Sequence, residues 1–110
     1  MAAYLIAQVK VTDDGWIPDY AAKVHDIAAK HGGKYLSRSA NKTSLEGDMP
    51  DVDVIALIEF PSVEAAQAFA DDPDYAPFAK ARQGGTVSSL FVVDDTDATG
   101  GIPYLPSGAA

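Results

Sequence analysis

Lys30-His31-Gly32-Gly33-Lys34-Tyr35-Leu36 joins a helical pattern of apolar residues to a strand pattern. Gly32 suits the left-handed residue that closes a helix, because glycine has no Cβ to clash with the backbone. Lys30 and His31 place basic side chains at the negative end of the helix dipole. The stretch therefore predicts a helix that ends at this point and a chain that returns to a sheet at Tyr35.

Two periodic segments precede this junction. Residues 4–11 alternate and predict a strand whose apolar face is formed by Leu5, Ala7, Val9 and Val11, and whose mixed face is formed by Tyr4, Ile6, Gln8 and Lys10. Apolar side chains then recur at helical spacing at Ile17, Tyr20, Ala21, Val24, Ile27, Ala28 and His31. We expect this stripe to lie on the sheet, with Pro18 in the first helical turn, where proline is tolerated.

The segments after the junction complete the pattern. Strands are predicted over residues 34–39, 52–60 and 86–93, and helical pieces over 63–70 and 75–82. Strand, helix, strand, strand, helix, strand is the α+β, ferredoxin-like βαββαβ order, a four-stranded antiparallel sheet with helices on one face. We expect one domain over residues 1–94 and a C-terminal tail over 95–110, which either packs on a partner subunit or frays.

The second face of this sheet has no helix to cover it. It would carry Ile6 and the apolar residues of the third and fourth strands, a patch on the order of several hundred Å², which is more than a monomer usually exposes. The pattern therefore predicts a homodimer formed sheet to sheet.

Composition narrows the class of partner. The chain has 110 residues, a net charge of −8 and no cysteine. An acidic chain without a basic cluster repels nucleic acid, so no nucleic-acid partner is expected. No apolar run is long enough to span a membrane and no secretion signal is recognisable, so we expect a cytoplasmic protein without a membrane partner.

Three residues are candidates for catalysis. His31 ends the helical stripe and is a candidate acid or base near neutral pH, although a helix-terminal histidine can equally bond to nearby carbonyl groups. Arg38 and Glu59 lie in strand segments and are predicted to pair, with Arg38 anchoring a carboxylate or carbonyl group and Glu59 orienting it. A structural ion pair at a sheet edge or dimer seam is the alternative.

Five further residues are candidates for ligand binding. Gln8, Lys10 and Tyr35 are predicted to line the space between the two sheets of the dimer, and Tyr75 and Arg82 to rim its mouth; packing or solvation is the alternative role of each. The motifs of phosphate loops, dinucleotide folds, nucleophile elbows and zinc helices are all missing from the sequence. Neither a metal nor a cofactor is therefore expected.

The ordered set of motifs resembles one known family. Residues 3–94 are similar to domain of unknown function family 1330 in Tyr4-Leu5-Ile6-Ala7, the 30–36 junction, Leu45-Glu46-Gly47-Asp48, Glu59-Phe60-Pro61-Ser62, Ala65-Ala66 and the 75–82 segment. The resemblance implies a dimeric α/β barrel of two ferredoxin-like subunits. Proteins of that wider superfamily include cofactor-independent monooxygenases, muconolactone isomerases, polyketide cyclases, haem-using enzymes and proteins without known activity, so the fold transfers and the chemistry does not.

Two hypotheses about function follow. The first is a homodimer that binds a small apolar or carbonyl-containing molecule in the barrel, with cofactor-free monooxygenase, isomerase or lyase-like activity as an extension. The second is a non-catalytic dimeric module with a packed interior. Cavity size separates them, because ligand pockets have volumes of roughly 300–1,000 Å³.

Overall fold

The computed structural model describes residues 2–103 and contains four strands and three helices in that range. They follow the chain in the order β1 (Ala3–Val11), α1 (Ile17–Lys30), β2 (Lys34–Ser39), β3 (Val54–Phe60), α2 (Val63–Ala70), α3 (Ala76–Gly84) and β4 (Thr86–Asp94). The strands form one antiparallel sheet in the order β2-β3-β1-β4. The predicted ferredoxin-like fold is confirmed, with its second helical segment divided into α2 and α3.

The helices cover the face of the sheet that the alternation of β1 predicted. Leu5, Ala7 and Val9 are buried beneath them, and register places these residues opposite Ile58, Ala56 and Val54 of β3. The other face, which we call the open face, carries the alternate side chains of each strand. On β1, β3 and β4 these are Tyr4, Ile6, Gln8, Lys10, Ile55, Leu57, Glu59, Val87, Ser89, Phe91 and Val93.

The junction at residues 30–36 forms as predicted. Gly32 has a φ of 79°, and the backbone N–H groups of His31 and Gly33 both donate to the carbonyl oxygen of Ala28. Gly33 has no room for a side chain, since a Cβ there would lie 2.7 Å from the ring of the fully buried Phe60. The glycine pair thus lets the end of α1 approach the core and turn directly into β2.

An irregularity in β2 was not predicted. Tyr35 pairs with Ile58 and Ser37 pairs with Leu57, so Leu36 is an extra residue in the ladder. A bulge of this kind shifts the alternation by one position. As a result both Tyr35 and Arg38, which pairs with Ala56, share the helix-covered face.

The ends of the domain differ slightly from expectation. β3 starts at Val54 rather than at residue 52, and Asp53 instead accepts a hydrogen bond from the backbone N–H of Val11. After β4, Asp95 exchanges hydrogen bonds with Ala2. The prediction that the tail packs on a partner falls largely on residues 104–110, which lie outside the described range. Within residues 2–103, none of the helices has the length and apolar character needed to cross a membrane.

Candidate functional site

A cavity of about 420 Å³ lies between the N-terminal half of α1 and the helix-covered face of the sheet. Most of its wall is aliphatic and comes from all four strands. The lining residues are Leu5, Ala7, Val9, Val11, Trp16, Ile17, Tyr20, Ala21, Tyr35, Arg38, Ala40, Val54, Ala56, Ile58, Phe69, Tyr75, Arg82 and Leu90. This volume falls within the range of small-molecule sites.

The cavity exists because α1 packs closely on the core only at its C-terminal half. Val24 and Ala28 are fully buried, whereas Ala21 and Ile17, one and two turns before Val24 on the same stripe, remain exposed and line the cavity. The periodic stripe predicted the side of the helix that faces the sheet. It did not show that half of this side faces a space.

A cluster of aromatic side chains contributes a pair of hydroxyl groups to the cavity. The hydroxyl oxygens of Tyr20 and Tyr75 are 2.7 Å apart, and the ring of Tyr75 stacks on Phe69 with a centroid distance of 4.4 Å. Trp16 meets Tyr20 edge to face at 5.1 Å. Only one proton is shared within the hydroxyl pair, so the other hydroxyl proton is free to be donated to a ligand.

Two tyrosines of the cavity lining, Tyr20 and Tyr35, are held in their protonated form. Burial raises the pKa of Tyr20 far above its ordinary value, and the neighbouring Tyr75 hydroxyl raises it further. Burial also raises the pKa of Tyr35, with Arg38 opposing the shift. These side chains are therefore hydrogen-bond donors at neutral pH rather than bases.

Two arginines reach the cavity from different depths. Arg82 of α3 is only 6% exposed, and its Nη1 donates to the Ser88 hydroxyl at 2.6 Å. Arg38 of β2 is exposed and lies over the ring of Tyr35, 5.1 Å from its centroid. The first is part of the interior and the second lies towards solvent. The predicted ligand-binding residues Tyr35, Tyr75 and Arg82 thus lie together with the predicted anchor Arg38.

His31 does not line the cavity. Its Nε2 lies 2.7 Å from a carboxylate oxygen of the buried Asp72, and its ring lies edge to face with the ring of Phe69 at a centroid distance of 6.5 Å. Lys30 bonds to the same Asp72 oxygen at 2.8 Å and to Asp74 at 3.0 Å. Lys30, then His31 and the Asp74 N–H hold the pKa of Asp72 well below its usual range.

This cluster fastens the end of α1 to the connection between α2 and α3. The backbone N–H of Tyr75 donates to the carbonyl oxygen of Asp72 at 3.0 Å, so the cluster also helps to position a cavity residue. No group of three or more histidine and acidic side chains within residues 2–103 has the arrangement of a metal site.

Gln8, Lys10 and Glu59 lie on the open face, across the sheet from the cavity. Lys10 forms an ion pair with Asp51 on the surface. Glu59 pairs in register with Lys34, whereas Arg38 faces the helices, so the predicted Arg38–Glu59 pair does not form. Gln8 and Lys10 also do not share a lining with Tyr35, because Tyr35 pairs with Ile58 and so lies on the helix-covered face.

A second depression is more open and lies on the open face beside the segment between β2 and β3. Its floor includes Ile55 and Leu57, and its rim includes Ser37, Ser39 and Lys42. Leu45, at the tip of this segment, is 96% exposed. The depression therefore continues the open face onto the segment between β2 and β3.

Three residues of structural weight were not singled out as site residues. Trp16 and Tyr20 form the α1 side of the cavity, and Asp72 is the centre of the ionic cluster. Trp16 is the only tryptophan and stands just before a predicted helix. This position could have been used to predict a packing role, since a large aromatic residue there has to pack on something. Asp72 carried no such signal among the many acidic residues near it.

Solved structures with the same fold include two proteins of unknown function. RPA0582 from Rhodopseudomonas palustris is 21% identical, with 87% of this chain and 83% of that chain covered and a TM-score of 0.68. A nipsnap family protein from Agrobacterium tumefaciens is 18% identical, with 86% and 88% covered and a TM-score of 0.52. At these identities the likeness concerns the fold alone.

A third structure has a described activity. SnoaB from Streptomyces nogalater, a cofactor-independent oxygenase, is 11% identical, with 87% of this chain and 94% of that chain covered and a TM-score of 0.62. Among curated proteins, none matches this chain. Residues 2–96 match the family described as Domain of unknown function (DUF1330). Because this match spans most of the sequence, the chain belongs to the DUF1330 family.

Proposed function

We propose that this protein is a homodimer that binds a small, largely apolar molecule with a carbonyl or similar oxygen in the cavity between α1 and the sheet. The cavity of about 420 Å³ carries this proposal. An apolar wall with a few convergent polar groups is typical of small-molecule sites. Here the polar groups are the Tyr20–Tyr75 hydroxyl pair and the two arginines, which favour a ligand with an acceptor oxygen.

The size of the cavity supports a ligand site within each subunit, because it is within the range of small-molecule sites. The packed interior of the alternative hypothesis is a different space, the one between the two sheets of the dimer. The site lies inside each subunit, on the helix-covered face, rather than between two sheets as the sequence interpretation assumed. The dimer and the ligand therefore use opposite faces of the same sheet.

The proposed dimer covers the open face with a second copy. Val87, Phe91 and Val93 of the edge strand β4 are 67%, 44% and 44% exposed, and Ile6, Ile55 and Leu57 continue the patch across the sheet. A self-complementary apolar sheet face is the kind of surface that an isologous dimer buries. The face also carries Lys34, Glu59 and Lys10 near its ends, which supply charges of both signs.

Neighbouring residues of β4 offer a matched test of the dimer. Phe91 is on the open face, whereas Val92, 36% exposed, is on the other face. We expect Phe91→Glu to convert the dimer to a monomer in light scattering at micromolar concentration, because it buries a charge at the interface. Val92→Glu should remain dimeric. A wild-type monomer, or equal effects of the two substitutions, would contradict the proposed interface.

Neighbouring alanines of α1 test the ligand site. Ala21 lines the cavity and Ala22 faces solvent without lining it. The neutral dye N-phenyl-1-naphthylamine should bind the wild type and Ala22→Phe with the same affinity. Ala21→Phe fills the cavity and should weaken binding by at least about tenfold. Equal binding by both variants would show that the dye, and the site, lie elsewhere.

A second candidate function is cofactor-free oxygenase, isomerase or lyase chemistry in the same cavity. The observation that favours it is the pair of hydrogen-bonded hydroxyls of Tyr20 and Tyr75 within an apolar lining, since hydroxyl donors stabilise an enolate formed from a bound ketone. The fold shared with SnoaB agrees with this candidate. Among residues 2–103 the cavity lining includes no carboxylate or imidazole, so the α proton would pass to water and the ligand would have to be a readily ionised carbonyl compound.

Proton exchange tests the catalytic candidate without knowledge of the natural substrate. The α protons of 2-tetralone exchange with D2O, and the protein should accelerate this exchange above the rate in buffer. Tyr75→Phe should remove most of the acceleration, whereas Ala22→Phe should not. If the protein binds 2-tetralone but leaves its exchange rate unchanged, the cavity is a binding site only.

A further inference from the structure

Arg82 is a buried cation without an anionic partner. Its side chain has one hydrogen bond, from Nη1 to the neutral Ser88 hydroxyl, and its Nε is buried without any partner. No carboxylate between residues 2 and 103 forms an ion pair with it. Buried arginines are normally paired, because an isolated charge loses its hydration on folding. This arginine is therefore missing an acceptor.

The charge of the cavity is opposite to that of the whole protein. The chain has a net charge of −8, yet the cavity lining contains Arg38 and Arg82 and no acidic residue. Asp72 and Asp74 precede the lining residue Tyr75 in the chain, but both are bound to Lys30 and lie outside the lining. The interior is thus locally positive, and an incoming anion meets Arg38 at the exposed side and Arg82 inside.

We propose that the ligand is an apolar carboxylic acid whose carboxylate is bound by Arg82, an inference that rests on the proposed use of the cavity as a ligand site. A guanidinium presents a planar fork of donors that matches the two oxygens of one carboxylate. A phosphate would bring a further charge into a mostly aliphatic wall. The hydrocarbon body of the acid would lie against Leu5, Ala7 and Ile58.

The anchoring of Arg82 fits a binding role. Its own carbonyl oxygen accepts hydrogen bonds from Gly85 N and from the Thr86 hydroxyl at 2.7 Å, which fixes the end of α3 against the start of β4. The contact of Nη1 with Ser88 then fixes the guanidinium itself. If Arg82 had only a structural role, its charge would not be needed, and the charge of a ligand should have no effect on affinity.

A pair of probes that differ only in charge separates these roles. Adamantane-1-carboxylate and adamantane-1-carboxamide have the same hydrocarbon body and are transparent where tryptophan absorbs. Trp16 is the only tryptophan of the chain and lines the cavity, so its fluorescence reports occupation of this site. Dissociation constants for the full-length protein are measured near pH 7.5 from the Trp16 signal and checked by calorimetry.

We expect the carboxylate to bind the wild type at least about tenfold more tightly than the carboxamide, as for a charge-assisted hydrogen bond. Arg82→Gln should bring the two dissociation constants within about twofold of each other, mainly by weakening the carboxylate. Lys80→Gln, an equal change of charge at an exposed position of the same helix, should leave the preference intact.

Three other outcomes would each contradict one part of the proposal. Equal affinity of the two probes for the wild type would overturn the carboxylate assignment and leave the cavity as a ligand site. Loss of any Trp16 response to either probe would overturn the ligand site as well. A preference that survives Arg82→Gln would show that another group binds the carboxylate. If Arg82→Gln does not fold, the wild-type comparison and Arg82→Lys, which retains the charge, still decide the question.

Discussion

Two adjacent glycines at the end of α3 provide the sharpest test of how the cavity wall is built. A Cβ added at Gly85 would lie 2.4 Å from Cδ1 and 2.6 Å from Nε1 of Trp16, and 2.7 Å from the carbonyl oxygen of Asp13. A Cβ added at Gly84 would meet nothing within 4 Å. Gly85 has a φ of −112°, which alanine adopts without strain. Any cost of Gly85→Ala therefore arises from contact of the new Cβ with the Trp16 ring and with the Asp13 carbonyl oxygen.

The two substitutions should change stability in opposite directions. Gly85→Ala overpacks a buried site and should cost about 1–3 kcal/mol. Gly84→Ala lies within the last turn of the helix and should stabilise the protein by about 0.5–1 kcal/mol, because alanine loses less backbone entropy than glycine. With a urea dependence of roughly 1–3 kcal/mol per M, this combined difference of about 1.5–4 kcal/mol should separate the unfolding midpoints of the two variants by about 0.5–4 M.

Urea unfolding followed by far-UV circular dichroism measures this difference at one fixed protein concentration, since a dimer's stability depends on concentration. The native emission of Trp16 gives an independent measure. Gly85→Ala should shift it and weaken N-phenyl-1-naphthylamine binding, whereas Gly84→Ala should do neither. If Gly85→Ala has the same stability, emission and dye affinity as Gly84→Ala, then Trp16 does not pack on Gly85 and does not form this part of the cavity wall.

Two further predictions concern titratable groups. Asp72 has a lowered pKa in the folded protein, so its ionic contacts stabilise the fold above about pH 4 and this contribution is lost as the pH falls further. Asp72→Asn should therefore be less stable than the wild type in urea at pH 7. A difference in stability between the two proteins that stays constant down to pH 2 would contradict the lowered pKa of Asp72. Tyr20 has a raised pKa, so the unfolded chain loses this proton first and stability should fall as the pH rises above about 10. Tyr20→Phe should lose about 1 kcal/mol at pH 7 by removing the hydrogen bond to Tyr75, and should fall less steeply with alkaline pH; equal alkaline slopes in thermal melts would show that Tyr20 is not the responsible group.

Periodicity predicted the architecture because it depends on contacts that repeat along each element. The alternation over residues 4–11 identified the buried face of β1 correctly, since Leu5, Ala7 and Val9 are all buried. The glycine pair after His31 located the end of α1, and Ser62 caps α2 through a hydrogen bond from Ala65 N to its hydroxyl. Such features are local, and local chemistry determines them.

The candidate site was harder to predict because it depends on a single irregularity and on long-range pairing. The extra residue Leu36 follows Tyr35 and places Arg38 on the same, helix-covered face, and no turn or glycine in β2 announces it. Without the bulge, Arg38 and Glu59 could be assigned to one interior, as the sequence interpretation did. Likewise, the Asp72–His31 contact joins residues 41 positions apart, and the sequence contains other acidic residues that could have taken that place.

The size of the side chains along the strands explains why the cavity lies where it does. At one end of the helix-covered face, Phe60 and Phe69 fill the space beneath the tightly packed half of α1. Towards the other end the facing residues of the central strands are smaller, with Ala7 opposite Ala56 and Val9 opposite Val54. Small residues at these positions would make a poor core if the space were meant to be filled, because interiors are close-packed. The same strands that build the large apolar open face therefore leave room on their other face, and this division supports the proposal of a dimer with one ligand site in each subunit.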